Sequence, residues 1–133
     1  MTRSTTSSVV DASALLALLF REEGAERFAS AVGPRSAMSA VNWSEVSQKS
    51  TAHGVDGHQL LLSALDAGLE VVDLTVERAE RVADLWPATH PLGLSLADRA
   101  CLALALELRR PAVTADRSWA RLTIDGLVIR VLR

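Results

Sequence analysis

Short apolar runs alternate along this chain with longer segments of helix-forming residues. We predict strands at residues 9–10, 36–39, 70–74, 112–114 and 128–132. Strands that alternate with helices favour a parallel sheet with helices packed on both faces. The predicted fold class is therefore α/β.

Polar residues at capping positions mark where the predicted helices begin. The proposed N-caps are Ser39, Asp56, Thr75 and Ser95. With their caps, the predicted helices occupy residues 12–19, 22–32, 39–53, 56–68, 75–86 and 96–108. We expect a loop around His90, and a loop or one short helix at residues 116–122.

Length, charge and cysteine content limit what the protein can be. The 133 residues suit one domain, residues 1–133, with a single core. Formal net charge is -2 and the pI is near 5.9, which is mild evidence against a nucleic-acid binder. A bound cation would nevertheless restore the charge that an acidic site subtracts. The single cysteine, Cys101, excludes an intramolecular disulfide and fits a reducing compartment.

The apolar segments are too short to indicate a membrane protein. Residues 12–20 form the apolar stretch nearest the N-terminus, and charged residues follow it at once. The polar residues 1–8 lack the apolar centre of a secretory signal. We therefore expect a cytoplasmic protein with no membrane association.

Four acidic residues lie where such a sheet could bring them together. Asp11 and Asp116 follow predicted strands, whose carboxyl ends are where open α/β sheets bind ligands. Glu45 and Asp98 lie in predicted helices. Carboxylates that share a pocket either take up protons or hold a cation, and Mg²⁺ prefers oxygen ligands. Since Mg²⁺ commonly serves phosphate chemistry, these residues indicate a metal-dependent nuclease.

Each acid also has a purely structural interpretation, which the sequence leaves open. Asp98 can form a capping box with Ser95, and Asp11 can be a helix N-cap. Asp116 can be a turn residue, and Glu45 can be solvated on its helix. The metal hypothesis therefore depends on all four acids occurring together.

Small polar residues near these acids are candidates for supporting roles. Ser13 and Thr114, each two positions from an acid, could hydrogen-bond a ligating carboxylate or a metal-bound water. Local capping is the alternative for both. Asn42, three residues before Glu45, could contact the site or stabilise a turn.

Two arginines and three tryptophans are candidates for contact with a nucleic acid. Arg99 and Arg117 each follow a proposed ligand and could bind phosphates, or they could form ion pairs with neighbouring acids. Trp43, Trp86 and Trp119 could stack on bases. For Trp43 and Trp86 we favour a core or interface position.

Taken together, the motifs resemble the PIN domain, and specifically the VapC-type ribonuclease toxins of toxin–antitoxin pairs. The matching segments are residues 9–16, 42–46, 94–98 and 114–117. The resemblance implies a three-layer α/β/α sandwich around a central, mainly parallel sheet of about five strands. It also carries over Asp11, Glu45, Asp98 and Asp116 as the catalytic and metal-binding set.

The same resemblance implies an activity and partners. A PIN-like enzyme of this type would use Mg²⁺ or Mn²⁺ to cleave RNA endonucleolytically, leaving 5′-phosphate products. A homodimer and a cognate VapB-like antitoxin are expected. Leu15, Leu16, Leu19 and Phe20 could contact either partner, although core packing is the favoured role.

Other functions remain as alternatives. The main one is a non-catalytic PIN-like binding module that acts through protein contacts. A haloacid dehalogenase-like phosphatase expects a second acid where Ser13 stands, and a receiver domain expects a late lysine, whereas Lys49 is the only lysine. The histidines lack zinc-site spacing, and neither a Walker A sequence nor GxGxxG occurs.

Overall fold

The computed structural model describes residues 7–21 and 35–132, and the predicted helix at residues 22–32 lies outside them. The described strands are β1 (Val9–Val10), β2 (Ala37–Ser39), β3 (Glu70–Val72), β4 (Ala112–Thr114) and β5 (Ile129–Val131). They form one sheet in the order β3-β2-β1-β4-β5, and all four neighbouring pairs are parallel. The predicted α/β class and the five strands are confirmed, although three strands are one or two residues shorter than expected at their ends.

The α-helices of the described residues are α1 (Ala12–Leu19), α2 (Ala40–Ala52), α3 (Gly57–Asp66), α4 (Val76–Asp84), α5 (Trp86–Thr89) and α6 (Leu96–Leu108). Helices α2, α3, α4 and α6 begin directly after the four predicted N-caps, whereas α5 was not predicted. Ser39, Asp56, Thr75 and Ser95 each accept a hydrogen bond from a backbone N–H of the first turn that follows. These caps satisfy N–H groups that have no partner within the helix.

The segment predicted as a loop around His90 is mostly helical, so that prediction is wrong. After α4 the chain continues as α5 and then as a 3₁₀ turn, His90–Leu92. Pro87 lies in the first turn of α5, where a missing N–H costs nothing. Residues 116–122 contain the expected short helix, a 3₁₀ turn over Arg117–Arg121.

Alternate residues of the strands face opposite helical layers, as the two-residue period of a strand requires. The first residues of β1, β2 and β4 pack with α6 and Trp119 in one core cluster. The second residues of the same strands pack with α1 and α2 in the other. The sheet therefore has a helical layer on each face, which confirms the predicted sandwich.

Helix α4 is antiparallel to α6 on one face of the sheet. Glu107, near the end of α6, pairs with Arg78 at 3.0 Å and with Arg81 at 2.9 Å. At the other end, Nη1 of Arg99 donates to the carbonyl of Val82 at 3.3 Å. The C-terminal end of α4 consequently lies beside the first turn of α6.

None of the helices in the described ranges has the length and apolar character needed to cross a bilayer.

Trp119 offers a test of the packing under β4 and β5. It is fully buried, and its indole N–H finds no acceptor among the described residues. We predict that Trp119→Ala lowers the free energy of unfolding by about 3–5 kcal/mol, the usual cost of truncating a large core residue. Trp119→Phe should cost less than Trp119→Ala, because it keeps a large ring in the core, and neither change breaks a hydrogen bond of the indole N–H. Urea unfolding of both variants checks this, and equal losses would contradict it.

Candidate active site

Asp11 lies between β1 and α1, at the carboxyl edge of the sheet, and is 4% exposed. Its Oδ1 accepts from the Ser13 hydroxyl at 2.8 Å and from the Ala14 backbone N–H at 2.9 Å. Its Oδ2 accepts from the Thr114 hydroxyl at 2.6 Å. Asp11 is therefore the N-cap of α1. It is also bound to β4 through Thr114.

The hydroxyls of Ser13 and Thr114 connect Asp11 to the strand beside it. Ser13 Oγ accepts from the Ala115 N–H, and Thr114 Oγ1 accepts from the Asp116 N–H, both at 3.0 Å. Each hydroxyl thus donates to Asp11 and accepts from the turn after β4. The predicted hydrogen bonds from Ser13 and Thr114 to the Asp11 carboxylate are present. That they support Asp11 as a metal ligand stays a prediction.

Burial changes the protonation of Asp11. Desolvation raises the pKa of Asp11 from 3.8 to about 6, against the lowering effect of the bonds from Thr114, Ala14 and Ser13. The nearby charge of Asp98 raises this pKa further. The described donors to Asp11 are all neutral, so no ion pair among them offsets the cost of the buried charge.

The charges of three of the predicted acids act on the Cys101 thiol. Burial raises the pKa of the fully buried Cys101 thiol well above its usual range, and the charges of Asp11, Asp98 and Glu45 add to that effect. Because such effects fall off with distance, these carboxylates from three different elements lie in the same part of the molecule as Cys101.

Asp98 forms the predicted capping box. Its N–H donates to Ser95 Oγ at 3.1 Å, and its Oδ2 accepts from the Ser95 N–H at 2.9 Å. The box fixes the carboxylate in the first turn of α6, on the same side as Asp11. Asp98 therefore caps its own helix, and its charge also acts on Asp11.

Asn42 joins the turn that carries Asp98 to the helix that carries Glu45. Its Nδ2 donates to the carbonyl of Ala97 at 3.0 Å and lies 3.5 Å from Glu45 Oε1. The residue is 1% exposed, and its Oδ1 has no donor among the described residues. A buried amide oxygen without a donor is costly, so this atom is suited to a water or a cation.

Asp116 has a different environment from the other three acids. It is exposed, and its Oδ1 accepts from the backbone N–H and the hydroxyl of Ser118, at 2.9 and 2.8 Å. The expected turn role is therefore present. Its place in the metal-binding set stays a prediction. Sequence analysis did not foresee Ser118, although a serine two residues after an aspartate is a known turn signal.

The side chains of the two candidate arginines have different surroundings. Arg99 reaches α4 through the carbonyl of Val82, and its Nε is buried without an acceptor in the described part of the chain. Arg117 is exposed, beside Asp116. Substrate contact stays a prediction for both arginines.

The donor set fits a hydrated magnesium ion better than a fully enclosed metal. Within residues 7–21 and 35–132, no three His, Cys, Asp or Glu side chains approach closely enough to enclose a metal ion. Mg²⁺ usually keeps several waters and takes only one or two carboxylates from a protein. The desolvated Asp11 would be the direct ligand of such an ion, while Asp98, Glu45 and the unpaired oxygen of Asn42 would hold its waters.

Comparison with known families decides the relationship. The model of the PIN domain matches residues 8–124, nearly the whole chain. The chain belongs to the PIN domain family. The match confirms the resemblance to the PIN domain that the sequence motifs indicated.

Solved structures share the fold of this PIN domain. A toxin–antitoxin complex from Klebsiella pneumoniae is 25% identical, with a TM-score of 0.71 over 92% of this chain and 96% of that chain. VapC20 from Mycobacterium tuberculosis, a toxin that cleaves the sarcin-ricin loop, is 18% identical with a TM-score of 0.70, over 88% and 97%. VapBC2 from Rickettsia felis, bound to promoter DNA, is 14% identical with a TM-score of 0.67, over 95% and 98%. A search of curated protein sequences finds no match.

The raised pKa of Asp11 predicts a pH-dependent effect of Asp11→Asn. Since the folded protein binds this proton more tightly than the unfolded chain, the wild type loses stability as pH rises from about 4 to about 6. A shift of two units corresponds to at most about 3 kcal/mol. Asparagine carries no charge, its oxygen can keep the bonds from Ser13 and Ala14, and its Nδ2 can donate to the Thr114 hydroxyl, so the metal-free variant should be the more stable protein at pH 7.5. The two should be equally stable near pH 4.

Urea unfolding with a chelator at both pH values measures this difference. Asp66→Asn, on the exposed end of α3, is the matched control and should show no such pH dependence. An Asp11→Asn protein that is less stable than the wild type at pH 7.5 would contradict the raised pKa of Asp11.

Proposed function

We propose that this PIN domain is a Mg²⁺- or Mn²⁺-dependent endoribonuclease toxin of the VapC type. The observation that supports this most is the buried Asp11 carboxylate, which shares its neighbourhood with Asp98 and Glu45 and has only neutral donors in the described residues. Two of the solved proteins with this fold are named as VapC or VapBC, and VapC20 as an RNA-loop-cleaving toxin. The target RNA of this chain is not implied by those names.

The proposed chemistry assigns the acids to metal binding. Asp11, Glu45, Asp98 and Asp116 would hold the ion, one or two of them directly and the others through its bound waters, and the ion would supply an activated water and stabilise charge on the phosphoryl oxygens. Asp11 would keep a fixed orientation because Ser13 and Thr114 bind both of its oxygens. No side chain needs to act as a covalent nucleophile.

A cognate antitoxin is the proposed protein partner. One of the solved structures with this fold is a toxin–antitoxin complex. On this chain an apolar groove of about 260 Å³ lies between α1, α2 and α3. Leu19 and Phe20, 38% and 37% exposed, lie at the end of α1, whereas Leu16 is buried in the core. Exposed apolar surface of this kind suits a protein partner.

The proposed homodimer would need a second surface. Helix α3 exposes Leu62 and Leu65, three residues apart and thus on one helical face. This pair supports a contact with another protein surface, and the homodimer itself stays a prediction.

Removing the charge of Asp98 tests the proposed activity. Asp98→Asn should abolish Mg²⁺-dependent RNA cleavage, since it removes a proposed ligand. The fold should survive, because the asparagine oxygen can still accept the Ser95 N–H that completes the capping box. A gel assay on structured RNAs with Mn²⁺, with Mg²⁺ and with chelator measures cleavage.

Asp66→Asn is the control for Asp98→Asn and should cleave like the wild type. Full cleavage by a folded Asp98→Asn protein would refute the proposed mechanism. A wild type that binds no divalent ion by calorimetry and cleaves no RNA would instead favour the non-catalytic binding module.

Asn42 should contribute to metal affinity without being a charged ligand. If its unpaired Oδ1 accepts from a metal-bound water, Asn42→Ala should weaken Mn²⁺ binding by about tenfold or more, as loss of a supporting hydrogen bond does. Isothermal titration calorimetry measures this directly. Gln48→Ala, on the exposed face of the same helix, should leave the affinity unchanged. Unaltered Mn²⁺ affinity in Asn42→Ala would exclude this role.

A further inference from the structure

One tryptophan remains outside the core. Trp43 is 9% exposed and Trp119 is fully buried, so neither can stack on a base without local unfolding. Trp86 is 50% exposed, which contradicts a core position for it. A half-exposed indole presents a flat apolar face on which another ring can stack.

Trp86 stacks against a second ring. Its indole stacks on the imidazole of His90, with ring centroids 4.2 Å apart and planes 20° apart. Both rings lie on the short helical segment made by α5 and the 3₁₀ turn. Within it, the buried Thr89 donates its hydroxyl to the carbonyl of Leu85 at 2.8 Å. The aromatic pair is therefore a pre-formed, flat surface.

The pair is connected through hydrogen bonds to the turn that carries Asp98. The bond between Arg99 and the Val82 carbonyl places the end of α4, two residues before Trp86, beside the first turn of α6. The Leu94 N–H donates to the carbonyl of Thr89 at 3.3 Å, and the next residue, Ser95, forms the capping box with Asp98. The aromatic pair is thus anchored to the turn that presents Asp98.

We propose that Trp86, backed by His90, stacks on a base of single-stranded RNA that crosses the acidic site. This inference rests on the proposed function. The acids repel phosphates, and the net charge of -2 offers little general attraction to a polyanion. Stacking needs no charge and accepts every base, and it typically contributes about 1–3 kcal/mol per base. It therefore supplies binding that the acidic edge cannot.

Steady-state cleavage of a single-stranded oligoribonucleotide of about ten nucleotides tests the proposal. Trp86→Ala should raise KM by about 5- to 150-fold, the range that corresponds to one stacked base, with little change in kcat. Trp86→Phe keeps a ring and should recover most of the loss. Leu96→Ala is the matched control, since Leu96 is 60% exposed near the same turn but has no ring. Thermal unfolding verifies that all variants are folded.

Tryptophan fluorescence gives a second readout that does not require cleavage. The chain has three tryptophans and no tyrosine, and Trp86 alone of the three is exposed. Adding the same oligoribonucleotide with Ca²⁺ in place of Mg²⁺ should quench the emission, and Trp86→Phe should remove most of the quenching.

The outcomes separate the two proposals. If the wild type cleaves RNA while Trp86→Ala keeps the wild-type KM, stacking is overturned and the proposed function stands. If the wild type neither cleaves nor binds metal, but RNA quenches Trp86, the stacking surface stands without the nuclease. If Trp86→Ala alters only the oligomeric state in size-exclusion chromatography, the ring belongs to a protein interface and the proposal is wrong.

Discussion

The hydrogen bond from the Thr114 hydroxyl to Asp11 holds the acidic site together. It joins the turn after β1 to the last residue of β4, two strands that pair in parallel at the centre of the sheet. With Ser13 and the Ala14 N–H it surrounds the carboxylate with neutral donors, which hold its position without cancelling its charge. A desolvated carboxylate in this condition takes up a proton or a cation, and the neighbouring acids favour the cation at neutral pH.

Features with a local signal in the sequence were predicted correctly. Strand and helix alternation gave the fold class, and four N-caps gave the helix starts, because capping needs only a polar residue a fixed distance before the turn. Asp98 illustrates the limit of such a signal. The capping box explains its position completely, yet the same turn carries it to Asp11, so the local interpretation neither replaces nor excludes the tertiary one.

The features that were not predicted depend on tertiary packing, which the spacing of residues along the sequence does not reveal. Asp116 and Asp11 both follow a strand, but Ser118 draws the Asp116 carboxylate into its own turn. Trp119 and Trp86 are equally apolar in sequence, and only the packing under β4 and β5 buries the former. Proline at Trp86-Pro87 suggested the end of regular structure, whereas the first turn of a new helix tolerates it.

A low net charge is compatible with RNA binding, because affinity for RNA can come from base stacking as well as from contacts to phosphates. An acidic pI counts against a nucleic-acid binder only if its affinity comes mainly from contacts to phosphates. Under the proposed function the carboxylates would need a cation before any phosphate could approach, and that ion would carry the positive charge that the acidic site lacks. Aromatic stacking at the rim is independent of that charge. Affinity from such a surface should depend less on salt than affinity from arginine contacts, because fewer counterions are released.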